Sequence, residues 1–503
     1  MYRTESAKLV RIAACGLLLA AAAARPAEAD VIEISSVKEL ADYAARSGNQ
    51  VRMKPGVYRV ADYLTADVIA AVRAEVPPGP GRPPVWMIRF SGSDNTFDLR
   101  GVTLEIDTSL YPRLPRGYMR CLFVPGSNNS IDGLTIRNTG PEQGSGGNIL
   151  SIWGKSNRVE NVTLYVRGSK TYGYGDLFGK GGPSLAPMQK QSGIMVAGED
   201  HIIRRCKVIS RAFGHCFYVQ KPEGMTTRNV GIEDCYAEGE MRSTSDMLRD
   251  TTGPGADIGF RSVYANRDGR HMITSGYMKA LCEDGFRTYG GVENVTLLNC
   301  TAVNTRAGFE IGGTDEASVR TIIDGGTALG CERAYLIGSN VTVRQSRGDV
   351  RYGPLLYLRG GRGADVDLEL VGEGSDYTVH ALATIAGEDH RVRLYTNEHA
   401  RHAPSLPIML GFGMPDSAEM SSPIRPARTA NVRLSNELPR MPVIRGAEAA
   451  DCTIETSGMV LSDEDSQRLP PRPTTKAAST GLSTRASTIP TAGSSTGPAR
   501  PAK

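Results

Sequence analysis

The chain has 503 residues, of which 57 are glycine, 22% are charged and 40% are apolar. It is too long for one compact core of ordinary size and too apolar to be disordered throughout. Its net charge of +4 sits at its ends, since residues 1–29 carry +2 and residues 466–503 carry +6, leaving −4 on the body, so the basic face that a nucleic-acid partner requires is not expected.

Arg3, Lys8 and Arg11 precede an apolar run from Ile12 to Ala24, and small residues follow at Ala27-Glu28-Ala29. This is the plan of an export signal with cleavage after Ala29. Ile12-Ala13-Ala14-Cys15 stands ahead of the apolar run, the wrong order for a lipid anchor. No later stretch is apolar for the length a bilayer requires, so the mature chain is expected to be secreted or periplasmic, without a transmembrane segment. Next, Ser36-Val37-Lys38-Glu39 has capping-box spacing and predicts a helix to about Arg46, and Gln50 to Tyr58 reads as a strand and tight turn.

From there the sequence repeats itself. Thr296 to Gly312 matches Ile202 to Tyr218 in plan, and Thr321 to Gly338 follows the same course. Earlier units run from Asn95 to Ile106, Asn129 to Ile136 and Asn157 to Tyr165, with Asn or Gly starting each strand pair. A strand-turn-strand unit with a period in the twenties predicts a solenoid whose coils bury their faces only by stacking. Eight cysteines follow the signal, and Cys206, Cys235 and Cys300 each end a short alternating run. One repeated position predicts one interior stack of thiols rather than bridges. Elongation accounts for the length, and an amphipathic helix is a common cover for a first coil.

The helix, the segment Val51 to Tyr58, the coils and the recurring Asn-x-x-Ile/Val spacing resemble the right-handed parallel β-helix proteins of the pectate-lyase-like superfamily. The resemblance spans about residues 31–460. It implies an all-β fold, a right-handed parallel β-helix solenoid with an N-terminal capping helix, and a polysaccharide or oligosaccharide as ligand. That superfamily contains lyases, glycoside hydrolases, isomerases, tailspikes and adhesins, so the reaction does not follow from it. The paired Asp motifs and Arg-x-Lys of its polygalacturonate hydrolases are missing here, and Gly214-His215-Cys216 only faintly resembles their Gly-His-Gly. The motifs of the calcium-dependent pectate lyases and the Lys/Arg alginate lyases are not matched residue by residue.

Aligning the coils on the Gly before the second strand puts Gly193, Gly214, Gly285 and Gly308 in one column and places His215 beside Ile194, Phe286, Phe309 and Tyr335, an inward-facing or half-buried position. Insertions from about Arg167 to Gln191 and from Met241 to Ala280 flank the short-looped coil around Arg211 to His215. They predict two walls of a cleft with that coil as its floor. The first wall carries Tyr172, Tyr174, Asp176, Lys180 and Lys190. The second runs from Glu238, Glu240 and Arg242 to Lys279 and on to Glu283, Asp284, Arg287 and Tyr289. Alternation turns Phe286, Thr288, Phe309 and Ile311 inward and Arg287, Tyr289 and Glu310 outward, which makes Arg287 and Glu310 neighbours.

Two reactions suit such a cleft. β-Elimination from a uronate needs cations that neutralise the carboxylate, here Lys180, Lys190, Arg211, Lys279 and Arg287, and a base, for which His215, Tyr174 and Tyr289 are available. Hydrolysis needs two carboxyls, available among Asp176, Glu238, Glu240, Glu283 and Asp284. The clustered cations favour elimination over hydrolysis, unless they merely pair with those acids. A polysaccharide-binding protein without turnover is the third reading. The acids leave Ca2+ open as a cofactor, although no fixed-spacing loop is present. His380, His390, His399 and His402 lack metal-ligand spacing and read as surface residues. A tailspike or adhesin would show a trimerisation segment or an anchoring signal, and neither is evident, so an enzyme is favoured over a passive binding protein; a monomer is expected. Residues 1–29 are thus read as signal, 30–460 as β-helix, and 461–503, rich in Pro, Ser and Thr, as a disordered tail.

Overall fold

The computed structural model describes residues 30–466 except 77–81, 143, 171–187, 244–245, 247–277, 314–319, 373–378, 380, 398–405 and 414–425. The expected signal and tail therefore lie outside the described residues, apart from 461–466. The chain folds as a right-handed parallel β-helix. Short strand pairs from successive coils build one long sheet. A second runs in chain order from Pro84–Arg89 through Tyr118–Val124, Gly147–Ile152, Gln191–Val196, Phe217–Val219, Asp284–Thr288 and Ala307–Ile311 to Val460–Ser462. Neighbours within both sheets pair in parallel, so each coil rests on the one before it.

The alternation read in the sequence becomes a column of side chains. In the first sheet Val51, Phe97, Ile131, Val159, Ile203, Ile232, Leu297, Ile323 and Val343 occupy one register position and are all buried. In the second, Phe217, Phe286, Phe309 and Tyr335 stack nearly face to face with centroids 5.0, 5.2 and 5.0 Å apart. A coil has too little interior to close a core alone; stacking supplies the missing partner above and below.

The Asn that opens each unit has a physical reason. Asn128, Asn229 and Asn294 hold φ of 56°, 55° and 50°, where a short polar side chain is tolerated better than most. The next residue turns inward: Val230 and Val295 are buried, whereas Asn129 and Asn157 accept from the preceding coil's backbone, Asn95 N–H donating to Asn129 Oδ1 at 3.2 Å and Asn129 N–H to Asn157 Oδ1 at 2.9 Å. His201 continues this ladder through Nδ1, 3.2 Å from Asn157 N. His390 does the same for Ala364 N at 3.0 Å and is buried, which corrects its reading as a surface residue. His380, His399 and His402 lie outside the described residues.

Cys206, Cys235 and Cys300 are buried at the turn between paired strands, each accepted into the core with its thiol free, and all eight described cysteines are unbridged. At the N-terminal end Ser36 caps the helix Val37–Ala44. Its Oγ accepts from Glu39 N at 3.2 Å while Glu39 Oε2 accepts from Ser35 N at 2.9 Å. Val37, Leu40 and Ala44 are buried in the core, and Gly92 N donates to Ala44 O at 2.9 Å, tying the cap to the first coil. Two further α-helices at this end, the short Val60–Tyr63 and Ala66–Glu75, the latter capped by Thr65, were not foreseen from the sequence. No helix among the described residues is long and apolar enough to cross a membrane.

Candidate active site

The register around His215 differs by two residues from the sequence reading. Ile194 pairs with Phe217 and Phe217 with Phe286, so Cys216, not Gly214, stands level with Gly193, Gly285 and Gly308. Residues 211–216 are a turn rather than strand, and the strand starts only at Phe217. Phe217 thereby fills the interior place, and His215 falls level with Ser192 and Asp284. His215 N donates to Ser192 Oγ at 3.2 Å, and Cys216 N to Asp284 O at 2.8 Å. The ring is buried among polar groups instead of apolar ones.

Those groups hold it closely. His215 Nδ1 lies 2.8 Å from Asp284 Oδ2, and Nε2 lies 2.8 Å from Tyr289 Oη and 3.4 Å from Lys190 Nζ. Burial pushes the imidazole pKa down to about 4, Glu283 opposing and Lys190 reinforcing. Burial alone would raise Asp284, but Arg306, His215 and Arg287 hold it well below the usual carboxylate range. At neutral pH an ionised Asp284 can only accept, so the neutral ring presents Nδ1–H to it, and Nε2 accepts from the Tyr289 hydroxyl. Burial pushes the Tyr289 phenol up, and Arg287, 4.4 Å from the ring centroid, offsets part of that. The resting proton therefore stays on Tyr289.

Behind this pair lies a buried ion network. Glu283 Oε2 meets Lys190 Nζ at 2.6 Å, and Arg306 reaches Asp284 at 2.9 Å, Glu310 at 3.3 Å and Glu283 at 3.5 Å. Arg287 bridges Asp284 at 3.0 Å and Glu310 at 2.6 Å, and Arg359 adds a contact to Glu310 at 3.0 Å. Arg287 and Glu310 are register partners on adjacent strands. Elsewhere, Lys279 is buried against Glu332 at 2.9 Å, Arg211 contacts Glu240 at 2.5 Å, and Arg242 contacts Glu240 at 2.9 Å. Glu238 belongs to the other sheet and accepts from Tyr236 Oη at 2.7 Å. Among the described residues no group of three or more His, Cys, Asp or Glu side chains is arranged to hold a metal ion. Of the acids that left calcium open, Glu240, Glu283 and Asp284 face Arg or Lys, Glu238 faces the Tyr236 hydroxyl, and Asp176 lies outside the described residues.

A cleft of about 720 Å³ opens in front of His215. Lys190, His215, Tyr218 and Tyr289 line one end of it, Asn148 and Ser192 its floor, and Arg120 and Tyr118 the other end. One rim is Met188 to Lys190, at the foot of the first insertion, whose two arms pair antiparallel at Lys170 and Gln189. The facing rim is Gln220 to Glu223. Of the second insertion, only the stem, Met241–Ser243 against Met278–Ala280, and Asp246 are described; none of these residues lines the cleft, and the rest of the expected second wall, 244–245 and 247–277, lies outside the described residues. Tyr172, Tyr174, Asp176 and Lys180 lie outside the described residues. Of the other expected site residues, Lys190, His215 and Tyr289 line the cleft, whereas Arg211, Lys279, Arg287, Glu238, Glu240, Arg242, Glu283, Asp284 and Glu310 do not.

Arg306 and Arg359, which hold the network, and Arg120 and Tyr218, in the cleft, were missed. Arg306 precedes its strand much as Arg211 does in the repeat alignment, a signal that was there to use. Arg120 carried none.

No protein-family model matches the chain, and no curated protein matches it. Among solved structures it is similar to an alginate lyase, AlyF-OU02, described in complex with G6, at 12% identity over 88% of each chain with a TM-score of 0.42. It is also similar to PfbA, a surface adhesin of Streptococcus pneumoniae, at 10% identity over 85% of this chain and 86% of that one, TM-score 0.40. A third is the A-module of the Azotobacter vinelandii mannuronan C-5 epimerase AlgE4, at 12% identity over 80% of this chain and 99% of that one, TM-score 0.35.

Proposed function

We propose that this chain is an exported polysaccharide lyase that cleaves a uronate-containing glycan by β-elimination. The observation that carries this reading is the charge of the cleft: Arg82, Arg120, Lys190 and Lys221 line it against a single carboxylate, Glu223, among the described residues. The body of the chain is net negative, so this lining runs against the overall balance. An acidic sugar gains from such a surface and a neutral one gains little. Elimination requires that a cation draw charge from the uronate carboxylate, so that the adjacent carbon gives up its proton to a base, while an acid, which can be the same group, protonates the departing oxygen.

Lys190 and Tyr289 supply groups of these kinds at one end of the cleft, with His215 behind. Lys190 keeps its ammonium in the cleft while Glu283 anchors it. Tyr289 is the group positioned to take the proton from that carbon and return it to the departing oxygen, its own proton passing to His215 Nε2 as it does so and coming back after the bond breaks, and Asp284 fixes the ring that orients its hydroxyl. Hydrolysis is a poorer fit, since it needs a carboxyl with a raised pKa facing the substrate, whereas Asp284 is buried and held ionised.

The test is incubation of the purified protein with a panel of anionic and neutral polysaccharides. The expected result is ultraviolet absorbance from unsaturated uronate ends on an acidic polymer alone. New reducing ends without that absorbance would replace elimination by hydrolysis, and binding without shortened chains would make this a binding protein.

A further inference from the structure

Arg120 sits at the end of the cleft away from Tyr289. It lies on the strand Tyr118–Val124, in register with Asn148, which in turn pairs with Ser192 on the floor. The residue is only 6% exposed. Its guanidinium rests on the face of Trp153, 4.5 Å from the ring centroid, and Nη1 reaches Ser151 Oγ at 3.1 Å and Met195 Sδ at 2.7 Å. None of these is an anion. No carboxylate of the described residues comes within 4.0 Å of it, Nε is buried without a hydrogen-bond partner, and Nη2 has none either. Arg287 and Arg306, also on this side of the solenoid, are each held by at least two carboxylates.

A buried cation without a counter-charge is costly, and a guanidinium does not escape the cost by losing its proton. The packing of Trp153 and Ser151 nevertheless fixes the side chain in place, with its remaining donors unused beside open space. A carboxylate is the anion that matches the planar fork of a guanidinium. Met195 and Tyr218, on successive strands, lie between Arg120 and Tyr289. From the strand of Met195 to that of Tyr289 is two strand spacings, roughly 10 Å. One sugar in contact with Tyr289 does not also place its own carboxylate on Arg120.

We propose that Arg120 is a specificity-determining residue that pairs with the carboxylate of a second uronate in the bound chain, on the N-terminal side of the one that reacts. This rests on the reading of the cleft as a uronate site. It adds that the ligand carries acid groups on more than one sugar and that its chain lies along the solenoid axis.

The experiment is calorimetric titration of Tyr289→Phe protein, to prevent turnover, with trimeric and longer oligouronates of galacturonate, mannuronate, guluronate and glucuronate type. Each is used native and carboxyl-reduced, beside a sulfated neutral oligosaccharide. Arg120→Met is expected to lower affinity for the preferred native oligouronate by about ten-fold or more, with no change for its carboxyl-reduced form. Arg120→Lys should fall between. Without ligand, Arg120→Met should unfold at the same temperature as its parent or higher, because it removes an uncompensated buried charge. Equal losses on both ligand forms, no loss, the same Arg120 dependence for the sulfated neutral sugar, or a lower unfolding temperature would overturn the inference. Elimination by the wild-type protein with affinity independent of Arg120 would remove this subsite and leave the reaction standing. Arg120-dependent binding without elimination would do the reverse.

Discussion

Along one side of the solenoid the cations fall into two groups that differ in what answers them. From the strand of Asp284 onward, Arg287, Arg306 and Arg359 share Asp284, Glu283 and Glu310 in a buried lattice of contacts. In the coils before it, Arg120 is at least as buried and meets Trp153, Phe123, Ser151 and Met195, none of them an anion. The residue type is the same in both places, and the more buried Arg120 is the one without carboxylates. The paired group organises the wall and fixes His215 through Asp284, while the unanswered group leaves charge for a ligand.

The sharpest way to break this comparison is to remove the centre of the paired group. Arg306→Met leaves Glu283 and Asp284 buried with fewer counter-charges, and is expected to cost about 3–5 kcal/mol in denaturant unfolding. The same change at Arg120 should cost nothing. A small loss for Arg306→Met would mean that Arg287 and Arg359 suffice. Next in size is the chemistry itself: Tyr289→Phe should lower the rate of elimination by about 100-fold or more with the fold intact. Since the lost group is a hydroxyl held at His215 Nε2, the loss should appear in kcat more than in KM. A variant that keeps its rate would move the proton transfer to Lys190.

The pH dependence of stability is the third and smaller effect. Burial pushes His215 and His390 from their ordinary value of 6.5 down to about 4. Between these values the unfolded chain binds protons that the folded chain refuses. Stability is therefore complete above pH 6.5 and declines as pH falls from 6.5 to 4. Urea unfolding at successive pH values should show this limb, and His390→Asn should reduce it. Smallest of all is the effect of reductant: with every thiol free, dithiothreitol should leave the unfolding temperature unchanged, and a fall would reveal a bridge.

Much of the fold was legible because a solenoid writes the same constraint into every coil. Cys206, Cys235 and Cys300 recur because one interior position accepts a small apolar group each time, and the turn Asn recurs because each coil reverses at the same left-handed backbone position. The capping box at Ser36 and Glu39 is local and needs no tertiary information. The site was harder, since its decisive features are departures from the repeat. Gly214 offered a false anchor for the alignment, and the turn at 211–216 shifted His215 by two positions. Lys279 looked like a cleft cation until Glu332, more than fifty residues later, was seen to claim it. Arg120 stayed invisible because what distinguishes it is the lack of a nearby carboxylate, which only the folded arrangement reveals.

The most direct test of the two-group account is a crystal structure of Tyr289→Phe with a bound oligouronate of the preferred type. The account predicts a chain along the cleft over Ser192 and Asn148, with one sugar at Lys190 and residue 289 and a further carboxylate on the Arg120 guanidinium. It also predicts that Arg287, Arg306 and Arg359 keep their carboxylate partners. An oligosaccharide lying instead over Arg287 and Arg359, or one that leaves Arg120 untouched, would contradict it.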